Sequence, residues 1–328
     1  MKANMYIKAL FPMILIGLTA SLCSATPTVE NDPLAETRQL NPVIGNITTA
    51  DGTILSYRLF NNTEAGYANA APVVFVGGTG QVQTDWDTVI PHFTKKHPVL
   101  SFDNRGIGLS TVTNTSLITR QRMADDIRVL SKHFGWASID LVGISMGAIV
   151  SNTFVASNFT DVKVDHLVLI AGAYKDSSTS ELITEIGQWL EEFTTTPPPP
   201  SEWTSFLHKP MLACLTPAFV SNNPSQIKTF LRQVDEGVGR TYDSFVAQAG
   251  AMGTYNMAEE LKRFAMPVLI QHGTLDAGMP AQVGREMHAL IPGSRFIEYP
   301  EEGHVLFETN PESVDAVVAF IDGGDEKQ

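Results

Sequence analysis

Ile139-Asp140-Leu141-Val142-Gly143-Ile144-Ser145-Met146-Gly147-Ala148-Ile149-Val150 changes its periodicity halfway along. Residues 139–144 form a short aliphatic run, whereas Met146, Ile149, Val150 and Phe154 recur at helical spacing. The stretch predicts a strand that turns at Ser145 directly into a helix. Gly143 and Gly147 flank the serine and remove Cβ atoms that would clash where a strand end meets a helix start. A serine on such a turn sits on strained backbone, its hydroxyl facing a pocket and the positive end of the helix dipole beneath it.

Outward from this point, strand-like and helix-like segments alternate. Short runs at 43–48 and 53–60 flank the turn Asp51-Gly52, and the continuous apolar run Pro72-Val73-Val74-Phe75-Val76 ends in Gly77-Gly78-Thr79-Gly80. Further runs lie at 98–102, 166–171, 267–271 and 295–299. Runs apolar on both faces suit parallel strands covered by helices. Helical stripes fill the gaps: Met123, Ile127, Leu130 and Phe134, then Val314, Val317, Val318 and Ile321. The expected fold class is α/β, a mostly parallel central sheet with helices on both faces. Residues 173–261 break the rhythm with helical patterning and the tetraproline 197–200, and are expected to form a helical cap. That leaves 26–172 and 262–322 as the core and 323–328 as a tail.

A serine hydroxyl needs a base to activate it and an acid to orient the base. His304, in Pro300-Glu301-Glu302-Gly303-His304, follows the run 295–299, and Asp276 follows the run 267–271. Each sits just past a strand and after Ser145 in chain order, as expected where the nucleophile occupies such a strand-to-helix turn. Asp176 stands as the alternative acid. His92, His97, His133, His166, His208, His272 and His288 lie within helices, at strand ends or in the insertion, and read as packed or surface histidines. A tetrahedral intermediate also needs donors: the backbone N–H of Met146, and one from the loop 77–81, for which Thr79 is the choice. That loop lacks the Lys-Ser/Thr ending of a phosphate-binding loop.

With these residues in view, the chain resembles the lid-containing serine hydrolases of the α/β-hydrolase superfamily. Asp103-Asn104-Arg105-Gly106-Ile107-Gly108-Leu109-Ser110 is similar to the family's D-x-R-G-x-G-x-S turn, and Trp86 matches its tryptophan after the oxyanion loop. The resemblance implies the α/β-hydrolase fold, Ser145 as nucleophile, Asp276 as acid and His304 as base, with no metal or organic cofactor. Epoxide hydrolase and dehalogenase relatives carry Asp where this chain has Ser145. Many relatives have His-Gly at the oxyanion loop; Gly77-Gly78 here lacks that brace. Asp103 and Arg105 read as structural, a buried ion pair or turn brace.

The 328 residues carry 22 Lys+Arg against 35 Asp+Glu, a net charge of −13, with no basic run, so nucleic acid is not an expected partner. Residues 1–25 place Lys2 and Lys8 before a short apolar run that ends in small residues, and are expected to be a secretory signal. The alternative is an uncleaved anchor in the secretory pathway; cleavage leaves a mature chain with no stable membrane span. Cys214 would then stand alone as a buried small side chain. Sequons at Asn46, Asn61, Asn114 and Asn158 are candidate glycan sites. Trp189, Trp203 and Phe206, with Leu207 and Met211, are candidate pocket walls, although such residues in a cap also serve as its core. The expected activity is that of a secreted serine esterase or lactonase acting on an acyl bond of a small, largely apolar molecule. Acyl transfer, C–C bond hydrolysis, cofactor-free perhydrolysis and ligand binding with little turnover are the alternatives.

Overall fold

A computed structural model of the chain describes residues 34–67, 69–176, 188, 199 and 202–323. The expected export signal at 1–25, Trp189 and residues 324–328 of the tail lie outside the described residues. Among the described residues the strands are β1 (Val43–Thr48), β2 (Ile54–Phe60), β3 (Val73–Val76), β4 (Val99–Phe102), β5 (Ser138–Ile144), β6 (Lys163–Ile170), β7 (Val268–Gly273) and β8 (Arg295–Tyr299). They form one sheet in the order β1-β2-β4-β3-β5-β6-β7-β8. Strand β2 runs antiparallel to both neighbours, and every pairing from β4 to β8 is parallel.

Helices α1 (Ala35–Gln39) and α2 (Pro91–Thr94) are short; α3 (Arg120–His133) and α4 (Met146–Ala156) follow β4 and β5. Between β6 and β7 lie α5 (Trp203–Ala213), α6 (Pro217–Asn222), α7 (Pro224–Glu236), α8 (Tyr242–Ala251) and α9 (Ala258–Leu261), with no named strand among the described residues. Helix α10 (Ala281–Leu290) follows β7, and α11 (Leu306–Thr309) and α12 (Pro311–Ile321) follow β8.

Alternate strand residues feed two separate layers. Val74, Val76, Leu141, Leu167, Leu169 and Ile270 pack with Met123, Ile127 and Leu130 of α3 and Phe154 of α4. Their neighbours Val73, Phe75, Val142, Val168, Ile170 and Leu269 pack on the opposite face with Phe93 and with Val314, Val317 and Ile321 of α12. None of these strand side chains has measurable exposure, so these stretches of the central strands have no solvent side and read as mostly apolar runs, with buried Asp140 interrupting β5. Each such burial is worth about 1.5–3 kcal/mol relative to exposure.

The turn after β4 is built from two devices. Asp103 does not pair with Arg105: its carboxylate accepts from the Gln83 amide at 2.6 Å, Gln83 Nε2 at 3.0 Å and the Leu109 amide at 2.8 Å. Burial pushes its pKa up to about 6 despite those donors. Arg105 forms the buried ion pair with Asp126 of α3, donating from Nε at 2.7 Å and Nη2 at 2.6 Å, and its Nη1 reaches Asp51 at 3.0 Å and the Leu117 carbonyl at 2.9 Å. The four sequon asparagines, Asn46, Asn61, Asn114 and Asn158, are all exposed.

Removing one partner of a buried bidentate pair strands the other charge. Asp126→Ala is expected to lower the unfolding free energy by about 3–5 kcal/mol in urea denaturation. A loss below about 1 kcal/mol would mean that Asp51 and the Leu117 carbonyl hold Arg105 unaided.

Candidate active site

Strand β5 ends at Ile144 and α4 starts at Met146, leaving Ser145 alone in the turn with φ 55° and ψ −122°. A non-glycine residue in such a conformation costs about 1–3 kcal/mol and persists only where its surroundings hold it. Here the Ser145 amide donates to the Ile170 carbonyl of β6 at 2.9 Å, while its carbonyl accepts from Ala148 at 3.0 Å and Ile149 at 3.2 Å. Space is the other constraint. A Cβ on Gly147 would lie 2.0 Å from the Val76 carbonyl oxygen, and one on Gly143 would lie 2.5 Å from the Gly147 carbonyl oxygen.

Asp276 occupies the loop after β7 and His304 the loop after β8. One oxygen of Asp276, Oδ1, accepts from the amides of Gly278 and Met279, both at 2.8 Å; Oδ2 bonds His304 Nδ1 at 2.8 Å. A carboxylate only accepts, so Nδ1 carries the proton and the neutral ring keeps its lone pair on Nε2. Burial disfavours the imidazolium, but the charge and hydrogen bond of Asp276 outweigh it and raise the His304 pKa above its ordinary value. The His304 amide donates to the Cys214 carbonyl at 2.9 Å, tying this loop to the end of α5.

Ser145 and His304 line one cavity of about 470 Å³, together with Thr79, Met146 and Asp176. Asp276 occupies Nδ1 of His304, the position the alternative acid Asp176 would need. Among the described residues no acceptor takes the amide of Thr79 or of Met146. The amides on either side of Thr79 are committed: Gly78 donates to Gln81 Oε1 at 2.5 Å and Gly80 to Gln248 Oε1 at 3.0 Å. Asn104 Nδ2 holds the Gly77 carbonyl at 3.0 Å and Arg240 Nε the Gly80 carbonyl at 2.9 Å. The brace expected to be missing at Gly77-Gly78 is thus supplied by other side chains. Gln81 is local, but Gln248 of α8 and Arg240 of the α7–α8 connection come from the insertion at separations of 168 and 160 residues, where no sequence pattern points to the loop.

Of the expected pocket walls, Met211 lines the cavity, whereas Trp203, Phe206 and Leu207 do not. Trp203 and Phe206 pack with Leu207, Val234 and Phe245 into the inserted helices' own core, the Trp203 ring tilted against Phe206 at 5.0 Å and edge-to-face with Tyr242 at 5.5 Å. Neither aromatic lines the cavity; Pro210, Met211, Phe230, Val234 and Phe245 do. The insertion is small, so its largest aromatics stabilise it most by packing on one another. Cys214 lines the cavity with its thiol pKa raised to about 12 by burial, which leaves it protonated and unreactive. His272 is fully buried outside the cavity lining, its pKa pushed down to about 4 by burial.

Residues 71–311 match the family described as the alpha/beta hydrolase fold. A bifunctional esterase/perhydrolase of Acinetobacter calcoaceticus is 24% identical over 293 residues, covering 85% of this chain and 99% of its own. The 3-oxoadipate enol-lactonase 2 of Acinetobacter baylyi is 22% identical over 273 residues, covering 83% of this chain and 94% of its own. Among solved structures, a thermophilic esterase from Thermogutta terrifontis superposes with a TM-score of 0.68 at 24% identity, covering 86% of this chain and 98% of its own. With the sheet order, the turn at Ser145 and a family match across most of its length, the chain belongs to the α/β hydrolases.

Proposed function

We propose that the protein hydrolyses an ester, lactone or related acyl bond of a small, largely apolar molecule through Ser145, His304 and Asp276. The observation that carries this reading is the 2.8 Å bond from His304 Nδ1 to Asp276, which leaves Nε2 as the acceptor nitrogen of a ring that lines the same cavity as Ser145. Relatives named as esterase and enol-lactonase support an acyl bond as the target.

In this mechanism Nε2 takes the Ser145 proton as Oγ attacks the acyl carbon, and Asp276 stabilises the imidazolium that forms. The oxyanion takes hydrogen bonds from the amides of Met146 and Thr79, which need no reorganisation because their neighbours are already fixed. His304 then protonates the leaving oxygen, and a water activated by the same nitrogen releases the acid from Ser145.

Ser145→Ala is expected to lower kcat/KM on short-chain p-nitrophenyl esters by at least about a thousandfold and to abolish labelling by a fluorophosphonate, with little change in melting temperature. Retained turnover in that variant would remove Ser145 from the chemistry.

The base must be neutral, and Asp276 raises the pKa at which it becomes so. Activity is therefore expected to be low in acid and to rise through an apparent pKa above 6.5 as His304 loses its proton. A kcat/KM that is flat from about pH 5 to 8 would exclude His304 as the base.

Gln248→Leu frees the Gly80 amide and loosens the loop that carries Thr79. It is expected to reduce kcat by about tenfold to a hundredfold with a smaller effect on KM. An unchanged kcat would show that Arg240 and Gln81 hold the loop without it.

A further inference from the structure

The cavity also contains polar side chains that the acyl chemistry leaves unused: Gln233 of α7 and Glu308 of α11. Gln233 is only 5% exposed, yet neither its Oε1 nor its Nε2 has a protein partner. A buried amide left unpaired is costly, and its neighbours on the same helix, Phe230 and Val234, are apolar. The backbone beneath it is fixed, because Arg240 Nη1 donates to the carbonyls of Gln233 at 3.2 Å and Val234 at 2.6 Å while its Nη2 pairs with Asp85. Glu308 lines the same cavity, within reach of the Asp85 charge, and Thr88 Oγ1 donates to it at 3.3 Å.

The charges in the cavity narrow the ligand. Asp85, Asp176 and Glu308 line it, and among the described lining residues there is no Lys or Arg. The stretch 177–201 contains neither residue type. An anionic group would meet these acidic side chains with no Lys or Arg in the lining to pair with. Burial and the Asp85 charge push Glu308 up to about 8, which favours its carboxylic acid form, able to donate as well as accept. An ammonium would use the Gln233 carbonyl oxygen but leave Nε2 unpaired. We infer that the cavity takes acyl substrates bearing a neutral group that both donates and accepts hydrogen bonds, a hydroxyl or a carboxamide, held by Gln233 in the cavity that Glu308 also lines. The assignment of that group to an acyl substrate rests on the proposed hydrolase reading; its recognition by the cavity does not.

The test is a set of p-nitrophenyl alkanoates of equal chain length, over several lengths, ending in methyl, hydroxyl, carboxamide, carboxylate or ammonium. At neutral pH the wild type is expected to favour the hydroxyl or carboxamide ester over its methyl counterpart by about tenfold or more in kcat/KM at the matching length, with the carboxylate poorest. Gln233→Leu and Gln233→Met are expected to invert that ratio. Absence of the preference at every length, the ammonium ester as the best substrate, or the same ratio in both variants would overturn the inference. Calorimetric binding of the corresponding hydrolysis-inert methyl ketones separates this from the hydrolase reading. Preference for the hydroxylated ketone without ester cleavage sinks the hydrolase and keeps the recognition. Equal binding of the ketones, or none, overturns the recognition whatever the esters show.

Discussion

The helix after β5 can begin where it does only because Gly147 has no side chain. The Val76 carbonyl oxygen occupies the place a Cβ would take, so β3 and the first turn of α4 touch through backbone alone. That contact sets the tight turn at Ser145, with its positive φ, and brings the Met146 amide beside the loop that leaves β3. Both the serine and the amides around it inherit their positions from this approach. The cost of the strained residue is met by hydrogen bonds to β6 on one side and to the new helix on the other.

A second dependence runs from the inserted helices back into the sheet. The Cys214 carbonyl at the end of α5 holds the His304 amide, and Gln248 and Arg240 hold the two sides of Gly80. Gly303 must be small for the same reason, since its Cβ would fall 2.8 Å from the Cys214 carbonyl oxygen. The insertion therefore does more than wall the cavity: it fixes two of the loops on which the proposed chemistry depends. The guanidinium of Arg240 also reaches Asp85 and the backbone at Gln233, linking the loop at Gly80 to two residues that line the cavity.

What could be read from residues alone was what local physics controls. Strands β3, β5, β6 and β7 stood out because burial on both faces leaves no polar alternation. Asp276 and His304 could be nominated because each follows a strand at the end of the sheet where loops gather. Trp203 and Phe206 could not be placed, since an aromatic on a helix looks the same whether it packs on its neighbours or faces a cavity. The pairing of Arg105 was equally hidden: Asp103 lies two residues away, but the carboxylate that meets the guanidinium is Asp126 on α3.

The order of strands and helices, the turn at Ser145 and the candidates for the reacting groups were determined by the sequence, because periodicity and glycine placement act over a few residues. Which carboxylate meets His304, which side chains brace Gly77 to Gly80 and which polar groups face the cavity were decided only by the tertiary structure. Those contacts join residues from 3 to 168 positions apart. The geometry that selects among chemically equivalent partners exists only once the sheet and the inserted helices have packed.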